Sequence, residues 1–158
     1  MKLSLVTTVL NEEATILSLL QSIAAQSKKP DEIVIVDAGS TDATVKLINR
    51  FQKTSQLKVK LLKHTGNRAV GRNFGIKKAV GQGIAVTDAG CILDKHWFKL
   101  ITQPLVKNKA DVVAGFYRMT TDHLFTHCSA LFVGVTSHNI DIKTFLPSSR
   151  SIAFTKKA

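Results

Sequence analysis

The first apolar run, Leu3 to Leu10, is rich in Leu, Val and Thr and has the composition of a β-strand. Asn11 follows it as a candidate helix N-cap, with Glu12 and Glu13 in a first turn where the helix dipole favours acids. Ile16, Leu17, Leu20, Ile23 and Ala24 recur at helical spacing, and Lys28, Lys29 and Pro30 end that helix. The run EIVIVD over 32–37 is unbroken and β-branched, as expected of a strand covered on both faces. Gly39 allows a tight turn, and Ser40 or Thr41 caps a second helix carrying Val45, Ile48 and Phe51. In KVKLLK, 58–63, Val59 and Leu61 alternate with lysines, which predicts a third strand. NRAVGRNFGIKKAV, 67–80, predicts a third helix despite Gly71 and Gly75. Gly81 and Gly83 break it, and IAVTD, 84–88, is the fourth strand.

Beyond residue 93 the pattern changes. DKHWFKLITQPLV is an amphipathic helix with Trp97, Phe98 and Ile101 on its apolar side, ended or kinked by Pro104. DVVAGFYRM, 111–119, predicts a strand, 122–138 a helix, and SIAFTKKA starts as a strand or turn. The alternation of strand and helix predicts an α/β fold: a mostly parallel sheet with helices on both faces, built as one domain over 1–158. Ligands of such sheets sit beyond the carboxyl ends of the strands. Three polar stretches fall at those ends: Asn11 with Glu12, Asp37 to Ser40, and Asp88 to Gly90.

Composition narrows the class. Of 158 residues 44% are hydrophobic and 21% charged, which excludes a disordered chain. No apolar run approaches the roughly 20 residues of a membrane helix. Lys2 and the run after it fall short of a signal peptide, because Asn11, Glu12 and Glu13 interrupt it and no small-residue cleavage site follows. Cys91 and Cys128 make neither a disulfide framework nor a metal spacing, so a cytoplasmic chain with reduced thiols is expected. His123, His127 and Cys128 lack further ligands at a zinc spacing and read as ordinary surface or interface residues.

The net charge of +11 is unevenly spread. Six acids and only three lysines precede residue 43, so nearly all the positive charge lies beyond it. Such a field attracts nucleotide diphosphates, nucleic acid or an anionic membrane surface, including the inner face of a cell membrane. Nucleic acid is disfavoured by an aromatic content of 6% and by the lack of a recognised motif. A dinucleotide dehydrogenase is disfavoured because no Gly-x-Gly-x-x-Gly follows the first strand.

The remaining candidates each carry two readings. Asp37, with Gly39 and Ser40 after it, suits a nucleoside: a carboxylate accepts from a base N–H or ribose hydroxyl, and glycine admits the ligand closely. The same DAGSTD segment also suits a turn that caps a helix. Arg68 and Arg72, four apart, share a helix face and can grip a diphosphate, or form a solvated basic face. Asp88 can be one of the one or two carboxylates that hold Mg2+ or Mn2+ on a diphosphate, whereas Gly90 offers no side chain.

Together these segments resemble the nucleotide-binding half of glycosyltransferase family 2, whose fold is called GT-A. The matching residues are Asn11 to Glu13, the turn Asp37-Ala38-Gly39-Ser40, Arg72, Asn73 and Gly75, and Asp88, with a resumption at LPSSRSIAFTKKA. The resemblance implies that Thr8, Leu10, Glu12 and Asp37 hold uridine, that Arg72 lies near the nucleotide, and that Asp88 holds Mg2+ or Mn2+ on the diphosphate. It implies inverting transfer from a nucleotide-diphosphate sugar, with uridine as the base, to a hydroxyl acceptor that is lipid-linked, polysaccharide or protein. Residues 1–93 would then be the nucleotide-binding half and 94–158 the start of an acceptor half. Two departures stand out. Gly90 occupies the place of the last acid of the family's Asp-x-Asp motif. The family's general base is expected in an acidic motif beyond Ala158, so the chain reads as the front of a longer enzyme, or as a binding remnant without turnover.

Overall fold

Residues 1–118 and 148–158 are described by the structure, a computed structural model. Four apolar-rich runs lie side by side as parallel strands: β1 (Leu3–Val9), β2 (Glu32–Asp37), β3 (Val59–Lys63) and β4 (Gly83–Val86). The helices α1 (Ile16–Ala24), α2 (Thr44–Thr54) and α3 (Arg68–Lys78) connect them. The later segments α4 (Trp97–Val106), β5 (Val112–Ala114) and β6 (Ile152–Thr155) extend the same sheet, whose order is β3-β2-β1-β4-β6-β5. β6 runs antiparallel to both β4 and β5, so the sheet is mixed but mostly parallel.

Strand side chains alternate between faces, and here the two faces have different partners. Leu5, Val9, Ile33 and Ile35 pack with Ile16, Leu20 and Ile23 of α1, Ile48 of α2 and Phe98 of α4. Val6, Val34, Val36, Ile84 and Val86 form the other core layer, against Phe74 and Ile76 of α3. Gly71 and Gly75, which look like helix breakers in the sequence, are what lets α3 lie close. A Cβ on Gly75 would stand 2.8 Å from Val6 Cγ1 and 3.0 Å from Val36 Cγ2, and one on Gly71 would stand 3.2 Å from Thr8 Cγ2.

Several local expectations are corrected. α3 ends at Lys78, ahead of Gly81 and Gly83, and the strand expected over 84–88 is β4 from Gly83 to Val86, so Thr87 and Asp88 stand just past it. In α1, Leu17 is exposed and Leu19 takes the buried place, because the helix begins at Ile16 and its inward stripe falls on Ile16, Leu19, Leu20 and Ile23. Pro104 is accommodated inside α4, only two residues before the helix ends at Val106. The strand expected over 111–119 is the short β5, and the helix expected over 122–138 lies outside the described residues, as do His123, His127 and Cys128.

The glycine packing has a measurable consequence. Gly75→Val is expected to destabilise the chain by about 3 kcal/mol through overpacking. Gly90→Ala, where an added Cβ meets nothing within 4 Å, is expected to change stability by less than about 0.5 kcal/mol. Urea unfolding of the two variants checks both, and equal effects would remove the close-packing account.

Candidate functional site

The loops that follow β1 and β2 are fastened to each other. Asn11 N–H donates to Ser40 Oγ (3.0 Å), Glu12 N–H to Thr44 Oγ1 (2.7 Å) and Glu13 N–H to Asp42 Oδ2 (3.0 Å). In return, Thr41 N–H donates to Asn11 Oδ1 (2.9 Å) and Ala43 N–H to Glu13 Oε2 (2.9 Å). This clasp corrects both expected helix caps. Asn11 is not the N-cap of α1: its side chain is taken by the neighbouring loop, its φ is 54°, and Thr15 holds the N-cap position instead. Neither Ser40 nor Thr41 caps α2; Ala43 stands at the N-cap, and the free amides there are met by Glu13 and by Asp42 Oδ1, which accepts from Thr44 N–H.

Asp37 ends β2 beside Val9, the last residue of β1. It is 4% exposed, and its carboxylate accepts from the N–H groups of Gly39 (3.2 Å) and Ser40 (3.1 Å). The turn-building role of this acid is therefore present in the structure. Gly39 has φ +110° with open space over its α-carbon, a combination only glycine supplies without strain. Leu10 is exposed at the same rim, Thr8 packs under Gly71, and the Glu12 carboxylate accepts from the Thr15 hydroxyl.

Asp88 stands on the other side of β1, two residues past the end of β4. Strands about 4.8 Å apart put the ends of β2 and β4 about 10 Å from each other across β1. Its side chain is 14% exposed and is surrounded by arginines. Arg72 Nη2 donates to Oδ1 at 2.7 Å, Arg68 Nη1 lies 3.6 Å from Oδ2, and Arg150 Nε lies 3.9 Å from Oδ2. Arg68 and Arg72 reach it from one face of α3, whose N-terminus is capped by Asn67 Oδ1 accepting from Val70 N–H (3.0 Å).

Arg150 is a rim residue that reading the residues in order does not single out. The antiparallel register sets Val86 against Ile152, so the residues before β6 lie beside those after β4. The signal in the sequence was a lone arginine two places before a short apolar run, and its meaning depends on that register. The Arg150 guanidinium also lies 4.9 Å from the Tyr117 ring centre, a cation–π distance.

The donor set around Asp88 does not fit a divalent cation. Both carboxylate oxygens face guanidinium groups, and Gly90 adds no ligand. Among the described residues no group of three or more His, Cys, Asp or Glu is placed to hold a metal. Unit charges 4 Å apart interact by roughly 4 kcal/mol at a surface-like dielectric, so a dication at this carboxylate would meet strong repulsion.

An open, mostly parallel sheet with acids and arginines past its strand ends defines a Rossmann-like domain of the nucleotide-binding type. The chain belongs to glycosyl transferase family 2, which it matches over residues 4–131. It is similar to the glycosyltransferase GlyG of Streptococcus pneumoniae, 28% identical over 116 residues, covering 73% of this chain and 38% of that protein. It is also similar to the poly(ribitol-phosphate) beta-N-acetylglucosaminyltransferase TarS of Staphylococcus aureus, 30% identical over 116 residues, covering 72% of this chain and 20% of that one. The chain thus spans well under half the length of these relatives. Among solved structures, S. aureus TarS 1-349 in complex with UDP superposes with a TM-score of 0.68 at 25% identity, over 96% of this chain and 46% of the other. The mannosyltransferase PcManGT of Pyrobaculum calidifontis, in complex with GDP-Man and Mn2+, gives 0.74 at 20% identity over 99% and 45%, a likeness of fold alone. The fold is GT-A.

The clasp predicts a pH dependence. Burial raises the Asp42 carboxyl, but hydrogen bonds from Thr44 and from Glu13 N–H outweigh this and hold it below its ordinary value. A lowered folded-state value means the unfolded chain takes the proton first, so this contribution is present above about pH 4 and is lost as the pH falls below it. The urea midpoint of the parent is expected to fall more steeply than that of Asp42→Asn between about pH 5 and pH 3. Parallel slopes would show that the carboxylate does not support the clasp.

Proposed function

We propose that this chain is the donor-binding part of a nucleotide-sugar-dependent glycosyltransferase, with a uridine diphosphate sugar as donor and inverting transfer to a hydroxyl. The observation that carries the reading is the presence of Asp37 and the arginine-ringed Asp88 at one rim of a family 2 sheet. On this reading Asp37 grips the nucleoside, with Thr8, Leu10, Glu12 and Gly39 around it, and Arg68 and Arg72 grip the diphosphate. Structures of TarS with UDP and with UDP-GlcNAc support uridine as the base. In such a transfer the acceptor oxygen attacks the anomeric carbon, the bond to the β-phosphate breaks, and the diphosphate leaves with the electron pair. Guanidiniums fixed at that position stabilise the charge as it develops. The names of two relatives, TarS and a poly-beta-1,6-N-acetyl-D-glucosamine synthase of Staphylococcus epidermidis, support a cell-wall or surface polysaccharide as acceptor. No helix among the described residues is long and apolar enough to cross a membrane. The basic excess beyond residue 42 supports contact with an anionic membrane face.

One observation favours binding without turnover as a second reading. The acceptor proton needs a base, and of the described acids after Asp88, Asp94 accepts from His96 N–H while Asp111 pairs with Thr155 and Lys157 beside the amino end of β4. Neither stands at the rim.

Calorimetry with UDP and inorganic pyrophosphate tests the assignment. Arg72→Ala is expected to weaken UDP at least about tenfold, as for loss of a charge-assisted contact. Asp37→Asn is expected to weaken UDP while leaving pyrophosphate unchanged. A parent chain that binds neither ligand would end the reading, and UDP-sugar binding without hydrolysis or transfer would select the second one.

A further inference from the structure

Resting on the donor-binding reading, we infer that Arg68, Arg72 and Arg150 together form the diphosphate subsite, with Asp88 as their shared counterion, and that the diphosphate binds there without a divalent cation. Three guanidiniums against a single carboxylate leave two positive charges at this place. Arginine stays charged at any working pH, so the site cannot lose this field by deprotonation. A dication is commonly what offsets the charge of a diphosphate; here the chain itself supplies an equal charge.

The geometry separates an anchor from two arms. Arg72 is the anchor: its side chain is 17% exposed, and it makes the short 2.7 Å bond to Asp88. Its Nε is buried and has no partner among the described residues. Arg68 and Arg150 are the arms. Their side chains are 66% and 45% exposed, and at 3.6 and 3.9 Å from Asp88 they are beyond hydrogen-bond length. Both can turn to a phosphate while Asp88 keeps Arg72 in place. They come from different segments, Arg68 on α3 and Arg150 ahead of β6, and Tyr117 supports the second. Beside them Gly90 leaves room, since an added Cβ there would meet nothing within 4 Å. The glycine that removes a metal ligand from the sequence motif thus leaves space next to the arginine cluster.

The test is calorimetry on the 158-residue chain with UDP, GDP and inorganic pyrophosphate, each in EDTA and in Mn2+. The expected result is binding in EDTA with an affinity within about threefold of that in Mn2+. Arg150→Ala should lower it about tenfold to hundredfold, while Arg50→Ala, which removes the same charge from the exposed second half of α2, should leave it unchanged. Asp88→Asn separates the two arrangements by sign: a counterion lost leaves metal-free affinity equal or higher, a metal ligand lost abolishes binding. UDP binding that requires Mn2+ overturns this inference and leaves the donor-binding reading standing. Equal losses in Arg50→Ala and Arg150→Ala overturn it in favour of diffuse attraction. Pyrophosphate that binds in EDTA as tightly as UDP and GDP upholds the subsite and removes the nucleoside assignment. No binding of any ligand overturns both.

Discussion

Close contact between α3 and the centre of the sheet is the constraint on which the rim depends. Gly71 and Gly75 let the helix backbone rest on Thr8, Val6 and Val36, with no side chain between. The same helix carries Arg68 and Arg72 one turn apart, so the depth of its seating fixes how far those guanidiniums reach past the end of β4. A helix lifted by the thickness of a methyl group would move Arg72 away from a 2.7 Å bond. Packing on one face of the sheet and charge at its edge are thus a single arrangement.

At the loops after β1 and β2 the arrangement is different. There, backbone amides carry the structure, and five hydrogen bonds donated by backbone N–H groups fasten the loops after β1 and β2 to each other. Each such bond contributes about 0.5–1.5 kcal/mol net. Their larger effect is to fix the loop that carries Asp37 and Gly39 against the one that carries Asn11 to Glu13. The acids of this region, Glu13, Asp37 and Asp42, are largely occupied with amides, which explains how a chain of positive net charge keeps its acids clustered near its start.

Much of the sheet was legible in the sequence because buried parallel strands declare themselves as unbroken β-branched runs. EIVIVD and IAVTD needed no partner information to be recognised, and their terminal acids marked the carboxyl edge. What stayed hidden were features set by contacts between distant segments. Asn11 has the chemistry of a cap, but the loop after β2 claimed its side chain. Gly83 ends no strand but opens β4, and a Cβ there would stand 2.7 Å from Leu3 Cδ2, a crowding the sequence does not announce. Arg150 could not be placed because nothing local states that β6 runs antiparallel beside β4.

That last placement bears on how the molecule assembles. β6 lies between β4 and β5 in space, yet it follows β5 in the chain, with Ala114 and Ile152 as the facing ends. The gap beside β4 must therefore wait for a segment remote in sequence, and such long-range pairings close slowly. Until they do, β4 has one bare edge and the rim has two arginines instead of three. Arg150 reaches Asp88 only where β6 lies beside β4, so completing the sheet and completing the arginine cluster are one structural requirement.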